Sequence, residues 1–480
     1  SVTADDSFAS VTKIGENAFK NCSALTGVAM ANVREIGDGA FEFSAITAVP
    51  GAKIEKIGVN AFANTKLITA ILNMVTELGS NAFMNISTLT AVELGGVTSM
   101  GEGVFQGSTG ITSVVFGAGT KRIGARAFYS ENKVDTAITV TLPETVDFIE
   151  QYAFYNLAGL TTINLGGVKY VDQYAFAYTG LAIADLAGVK QIGYGAFAYT
   201  KLTSANLASA NIVGESAFFN CSELTSVTFG ALKRIGAYAF FNSKLTTVTL
   251  PASFDARTYT YEWNTYDEKG DLEDEKAREE LAYSPAAFSG ISTLAEIKVA
   301  EGNKTFFDVD GVLYSRVPNG YAIEQYPVNK AGKEYTIIDN TVLISESAFE
   351  YTVNLNKVTI PYTVKTVGAY AFFKSNCSEY IFNSVDAPKL LATVITENDV
   401  DDAQLKRAFS RLNGGYAVTN FYTNFKDYAV NADPTVWSPV DDFELTVTIP
   451  LNARGYVGVW KLFFTTIKYT EKNMPDDTTH

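Results

Sequence analysis

Histidine occurs once in the 480 residues, at the terminal position His480. Ser-His-Asp and Cys-His catalysis, His-ligated metals and imidazole pH switches each need a ring positioned inside the fold, so none of them is expected. The three cysteines, Cys22, Cys221 and Cys377, form no CxxC pair and are odd in number, which suggests neither a zinc site nor a full disulfide framework. Charge is sparse, at 19% of residues, and acidic in balance: 37 Lys and Arg against 52 Asp and Glu give a net charge of −15. That balance opposes attraction to nucleic-acid phosphates or anionic lipid. No apolar run reaches the roughly 18 residues that a membrane-crossing helix needs. Hydrophobic residues still make up 47% of the chain, which argues for a folded interior rather than disorder.

At this length either several domains or an elongated repeat is expected, and the motifs decide between them. "IGENAFKNC" at Ile14–Cys22 returns as "IGDGAFEFS" at Ile36–Ser44. With Phe19 as the marker, an Ala-Phe step (once Val-Phe) recurs at Phe41, Phe62, Phe83, Phe105, Phe128, Phe154, Phe176, Phe197, Phe218, Phe240, Phe288, Phe349 and Phe372. Five residues before each marker stands an aliphatic residue or Met, except at Tyr283, and Gly follows it in most copies. After each marker comes a run of the form L-x-x-V-x-L, such as "LTAVEL" (Leu89–Leu94) and "LTTVTL" (Leu245–Leu250). Its alternation and β-branched content predict a short strand, whereas the Ala-Phe segment is too short for more than a turn or two of helix.

A period near 22 residues predicts a solenoid, in which each unit buries its apolar side only against its neighbours. Phe, Ala, the aliphatic residue five before the marker, and the strand's Leu, Val and Leu fill the interior. Gly is expected to allow a tight turn at positive φ. Two copies are longer: Leu245 to Tyr283 spans 38 residues and Leu294 to Ile344 spans 50. Both insertions enter the same segment and should leave the same edge of the solenoid.

"LPETVDFIEQYAFYNLAGLTTINL" (Leu142–Leu165) and "IPYTVKTVGAYAFFKSNCSEYIF" (Ile360–Phe382) resemble the BspA-type leucine-rich repeat, with its pattern L-x-x-I-x-I-P-x-x-V-x-x-I-G-x-x-A-F-x-x-C. The likeness covers Ile14 to about Phe382. "FFDVDGVLYSRVPNGYAIEQYPV" (Phe306–Val328) is similar to a hairpin insertion of that family, and Asp310-Gly311 and Asn319-Gly320 read independently as hairpin turns. "TVTIPLNARGYVGVWKLFFTTIKY" (Thr446–Tyr469) more loosely resembles its closing segment. The resemblance implies a right-handed, mainly β leucine-rich-repeat solenoid, with short parallel strands on its concave face and short helical turns and loops on the convex side. It also implies export to the surface of anaerobic host-associated bacteria or some mucosal protists, adhesion as the role, and a chain that begins at Ser1 as a mature or trimmed form.

In L-x-x-V-x-L the third and fifth positions should face outward. The fifth reads Ala29, Pro50, Ile71, Glu93, Val115, Thr141, Asn164, Asp185, Asn206, Thr228 and Thr249. Strands about 4.8 Å apart make Asn164, Asp185 and Asn206 a polar column roughly 10 Å long, continued by Thr228, that could hydrogen-bond a peptide or glycan; the same residues could simply form a solvated face. In the first insertion Tyr259, Tyr261, Trp263 and Tyr266 are candidate ligand platforms, or else pack on the solenoid edge. A helix is expected from Asp271. The acidic run Asp267–Glu275 lacks EF-hand spacing, so no metal or other cofactor is expected. Cys22 and Cys221, nine coils apart, would lie roughly 43 Å from each other and cannot pair.

The expected organisation is therefore repeats over 1–250, an aromatic and acidic insertion over 251–286, further repeats over 287–376 with a hairpin at about 302–330, and an irregular capping region over 377–480. In the last, Glu397–Gly415 reads as a helix and the Trp460 region as part of the cap. The leading functional reading is a monomeric, noncatalytic surface or secreted protein binding an extracellular protein or glycan, with no nucleic-acid partner and no transmembrane segment. The competing readings are a glycan-acting enzyme with paired carboxylates and a structural surface-assembly protein.

Overall fold

Each copy of the Ile-Gly-x-x-Ala-Phe motif forms one coil of a parallel β-solenoid. The structure is a computed structural model that describes residues 10–28, 30–266, 272–390, 420–422, 427–430, 437–439, 446–456 and 466–470, with the backbone alone in 259–266, 272–281, 390, 420–422, 427–430, 437–439 and 466–467. Among the described residues there is no α-helix and no helix long and apolar enough to cross a membrane. The chain forms two compact units, residues 1–243 with 256–283, and residues 244–255 with 284–480.

In the first unit the coils from Thr69 onward carry two short strands where the sequence pattern shows one, and the two coils before it carry one among the described residues. The expected L-x-x-V-x-L strand forms at Thr69–Ile71, Ala91–Leu94, Ser113–Phe116 and Thr139–Thr141, which pair in parallel, and again at Ser204–Leu207 with Ser226–Phe229. The aliphatic residue before each marker sits in a second, two-residue strand. These stack in parallel from Lys13–Ile14 through Glu35–Ile36, Lys56–Ile57 and Glu77–Leu78 to Ser99–Met100, and from Arg122–Ile123 to Arg234–Ile235. Two residues are too few to show alternation, so this ladder has no signature in the sequence. Outward residues along it alternate in sign, Lys13, Glu35, Lys56 and Glu77 being partners in register.

The marker rings form one continuous stack from Phe19 to Phe240, each centroid 5.1 to 5.5 Å from the next and the planes within 19° of parallel. Beside it the backbones of successive coils bond directly: Phe19 N donates to Ala40 O (2.7 Å) and Phe41 N to Ala61 O (2.8 Å). Phe41, Phe62 and the Ala before each are fully buried. Turns closed by i→i+3 bonds, such as Ala18 N to Gly15 O and Lys20 N to Asn17 O, stand where short helical turns were expected.

The recurring Gly after the aliphatic residue has a different cause from the one expected. Positive φ is not found there; a Cβ on Gly79 would meet the Gly58 carbonyl carbon and Val59 N at 2.5 Å, so the residue is Gly because the next coil's backbone lies against it. Left-handed backbone occurs instead two residues before and two after the marker: Asn17 and Asn21, Asn60 and Asn64, Asn81 and Asn85. Asn suits that conformation because its short amide tolerates αL.

Cys22, Cys221 and Cys377 are all free thiols, Cys22 half-buried and the other two buried. Burial pushes the Cys221 thiol up to about 11, which leaves it a packed, unreactive group.

The first insertion is an antiparallel hairpin of Thr258–Tyr266 and Leu272–Leu281, not a helix from Asp271. Beyond it Tyr283 bridges Ile235 in parallel, taking the aliphatic residue's place in the register.

In the second unit the expected hairpin is present, with Phe306–Val309, Val312–Val317 and Gly320–Gln325 antiparallel in order. Its last strand then pairs in parallel with Thr341–Ile344, and Tyr326 stacks on Phe349 at 5.3 Å. This insertion therefore contains a further coil whose marker ring is Tyr326, which the Ala-Phe pattern does not reveal. The ladder also runs past Phe382: Thr446–Ile449 pairs with Glu379–Phe382, and Thr466–Tyr469 with Thr446–Ile449. The helix expected over 397–415, the Trp460 region and residues 1–9 lie outside the described residues.

Candidate binding surface

The predicted column is exposed as expected, with Asn164, Asp185, Asn206 and Thr228 all at the surface and Asn206 directly opposite Thr228 in register. Three of the four side chains already have a local partner. Oδ1 of Asn164 accepts from Gly166 N (3.0 Å), Oδ1 of Asp185 from Ala187 N (3.1 Å) and Oδ1 of Asn206 from Ala208 N (3.3 Å). These are Asx turns that steer the chain off the strand end, so one polar atom of each remains for a ligand. The outward rule fails in the early coils: Pro50 is buried, no strand forms around it, and Ala29 lies outside the described residues.

Tyr259, Tyr261, Trp263 and Tyr266 are brought onto one strand, their backbones opposite Glu280, Arg278, Lys276 and Leu272. Their side chains lie outside what the structure describes.

A third surface was missed in the sequence. The two αL positions flanking the marker, held by Asn in the early coils, are held by Tyr152, Tyr174, Tyr178, Tyr199 and Tyr238 in later ones. Together with Tyr129, Tyr155, Tyr194, Phe219 and Phe241 they build a terrace on the turn side of the first unit. Tyr129 stacks on Tyr155 (5.4 Å), Tyr152 on Tyr174 (5.2 Å), Tyr178 on Tyr199 (4.4 Å) and Phe219 on Phe241 (4.9 Å). Edge-on steps link Tyr155 to Tyr178 and Tyr174 to Tyr194. Tyr178, Tyr194 and Tyr199 are respectively 36, 40 and 43% exposed. Crowding among the rings, with the neighbouring hydroxyls second, pushes Tyr178 up to about 12 and raises Tyr174. The Tyr174 and Tyr178 hydroxyls therefore stay protonated at physiological pH. The readable signal was "QYAFYN", "QYAFAY" and "YGAFAY", three consecutive markers flanked by Tyr where other copies have Asn.

The terrace begins beside a groove of about 610 Å³, floored by Asn85, Gln106 and Gly107 and walled by Tyr129 and the loop from Ser130 to Thr136. That loop explains the 26-residue spacing from Phe128 to Phe154. It is pinned to the next coil by Asn156, whose Nδ2 donates to Ser130 O (3.0 Å) and Glu131 O (3.1 Å), and by Val134 N to Asn156 O (2.9 Å). Lys133 and Asp135 on its rim form an ion pair. Among the described residues no cluster of three or more His, Cys, Asp or Glu groups could hold a metal.

A family profile described as BspA type leucine rich repeat region matches residues 12–135, 98–212, 167–266, 190–308 and 328–390. No curated protein gives a significant match. Among solved structures, a leucine-rich repeat protein from Bacteroides ovatus is 20% identical, with 78% of this chain and 82% of that one covered and a TM-score of 0.50. A leucine rich cell surface protein from Faecalibacterium prausnitzii is 18% identical over 82% and 83% of the two chains, with a TM-score of 0.42. The pneumococcal vaccine antigen PcpA is 16% identical over 83% and 85%, with a TM-score of 0.35. At such identity the Bacteroides ovatus protein speaks to fold alone.

Proposed function

Because this chain belongs to the BspA-type leucine-rich repeat family, we propose that it is a noncatalytic, monomeric binding or adhesion protein of the cell surface or extracellular space, presenting its coils to an extracellular protein or glycan. The observation that carries this reading is the contrast between the two sides of the coil in the first unit. Inside, the same Phe, Ala and aliphatic residues recur with near-constant spacing. Outside, one run of coils gathers exposed aromatic rings beside a groove, a composition suited to contact with a ligand because rigid rings give area at little rotamer cost. The scaffold fixes the positions of surface residues, and the surface residues determine the partner.

The column of Asn164, Asp185, Asn206 and Thr228 and the aromatic residues Tyr259, Tyr261, Trp263 and Tyr266 are proposed as further contact surfaces. The test is a binding array of extracellular-matrix proteins and glycans, read for the wild type, for Asn164→Ala/Asp185→Ala/Asn206→Ala, and for a deletion of Ala256 to Leu281. Loss of a wild-type signal in one variant assigns the surface; an array with no ligand at all would sink the binding reading.

A further inference from the structure

Building on that binding reading, we propose that the tyrosine terrace recognises an uncharged polysaccharide laid along the coil stack. The fold does not require tyrosine there. Left-handed backbone disfavours bulky side chains, and in neighbouring coils the same positions are held by Asn17, Asn21, Asn60, Asn64, Asn81, Asn85, Asn156, Asn220 and Asn242. Left-handed backbone at these positions belongs to the fold, with Phe43, Arg126 and Ser216 there in other coils; what sets this face apart is the run of Tyr on it.

The chemistry of the face selects the ligand. Residues 151–159, 173–180 and 193–200 contain no charged residue, in a chain of net charge −15. A nucleic acid, an acidic polymer or a basic peptide would find no counter-charge on them. What they offer are tyrosine hydroxyls, ring edges and the amides of Gln151 and Gln173, which are themselves bonded in a row (2.6 Å). Neutral donors and acceptors set among aromatic carbon match the hydroxyls and C–H faces of a sugar. Arg126, beside the rings of Tyr129 and Tyr152 at 5.8 Å, is itself held by Glu102 at 3.3 Å.

The geometry selects a polymer. Tyr152 stacks on Tyr174 and Tyr178 on Tyr199, 5.2 and 4.4 Å apart, and edge-on contacts join Tyr155 to Tyr178 and Tyr174 to Tyr194, so aromatic surface runs without a break across three successive coils. A ligand that repeats along its own length gains a contact at every coil. The groove beside Tyr129 lies at one end of this path and has room for a terminal sugar unit.

The test is affinity electrophoresis and pull-down with mannan, xyloglucan, starch and a mixed-linkage β-glucan, with heparin as the charged probe. It compares the wild type with Tyr174→Asn/Tyr178→Asn/Tyr199→Asn. Asn is the residue other coils use at these positions, so the variant should fold with its melting temperature little changed. The expected result is retention of the wild type by at least one uncharged polysaccharide, unaffected by a roughly tenfold rise in ionic strength and weakened at least tenfold in the variant. Should the triple variant unfold, Tyr178→Phe/Tyr199→Phe keeps the stack, removes the hydroxyls and must still weaken binding. Retention by heparin alone, or equal retention of wild type and variant, would overturn the proposal. If the array above finds a protein ligand that the triple variant still binds and no neutral glycan is held, the terrace assignment fails while the binding function stands. If neither assay finds a ligand, both fail.

Discussion

Glu150 reaches back across one coil to Arg122, its Oε1 accepting from Nε at 3.0 Å and from Nη2 at 2.7 Å, while its Oε2 accepts from Ala125 N at 2.9 Å. The Arg122 guanidinium lies 4.4 Å from the Phe148 ring centroid. Glu150 occupies the position that Gly fills in most coils, so a carboxylate here joins two coils where elsewhere bare backbones touch.

The first prediction follows from those three bonds. Glu150→Ala removes two bonds from a guanidinium and one from a backbone amide at a partly buried site, and should lower stability by about 1–2 kcal/mol. Glu150→Gln keeps one acceptor and should lose less. Urea denaturation of both variants checks the order, and a Glu150→Gln protein as stable as the wild type would contradict the charge-assisted account.

Close approach of coils makes a second prediction that distinguishes one Gly from another. Gly79→Ala would drive a Cβ to 2.5 Å from the Gly58 carbonyl carbon, whereas a Cβ on Gly15 meets nothing within 4 Å. Gly79→Ala should therefore cost about 1–3 kcal/mol as overpacking, and Gly15→Ala should be neutral. If both were tolerated equally, backbone contact would not be what selects Gly.

Asp172 gives stability a pH dependence of unusual sign for a carboxylate. It too stands in the Gly position, and burial, aided by the Glu150 charge, raises it from the ordinary 3.8 to about 6, against the opposing bond from Gln173 N and the Arg122 charge. A folded-state value above the unfolded one means that the protonated form favours folding. That contribution is complete below pH ~4 and is lost as pH rises through about 6. At about 1.4 kcal/mol per unit, the loss by neutral pH is at most roughly 3 kcal/mol. Asp172→Asn retains the acceptor for Gln173 N, so it should be more stable than wild type at pH 7 and equal to it near pH 4. Melting curves across that range read the difference directly.

How much of this was legible in the sequence depends on how many residues carry each signal. Fourteen marker rings made the coil and its stack readable, because every copy repeats the same packing requirement. The two-residue strands around Ile14, Ile36 and their successors were not, since no periodicity fits in two residues. Gly58 and Gly79 read as turn formers in sequence because composition shows that a side chain is missing but not what occupies its place. Tyr326 escaped as a marker because it lacks the preceding Ala, and its stacking on Phe349 replaces that cue only in three dimensions. Among candidate sites, Asn164, Asp185 and Asn206 were placed correctly on an exposed face, but their Asx bonds depend on the next two residues rather than on the column. The terrace was missed because Tyr178 and Tyr199 become notable only once their positions are known to be left-handed.

The groove beside Tyr129 supplies the last prediction. Its outer wall is held by the Asn156 amide, which donates to two successive carbonyls, Ser130 O and Glu131 O. Asn156 is also an αL residue, at φ 66°. Asn156→Ala would remove both bonds and add αL strain, for a total loss of about 1–3 kcal/mol. Asn156→Gly removes the same bonds without the strain, so it should lose about 1 kcal/mol less. In hydrogen exchange both variants should speed amide exchange over 130–136 while leaving the Phe154 and Phe176 amides, bonded to Ala175 O and Ala196 O, protected. Faster exchange spread evenly over both coils would instead mean that Asn156 supports the stack as a whole and not the wall of the groove.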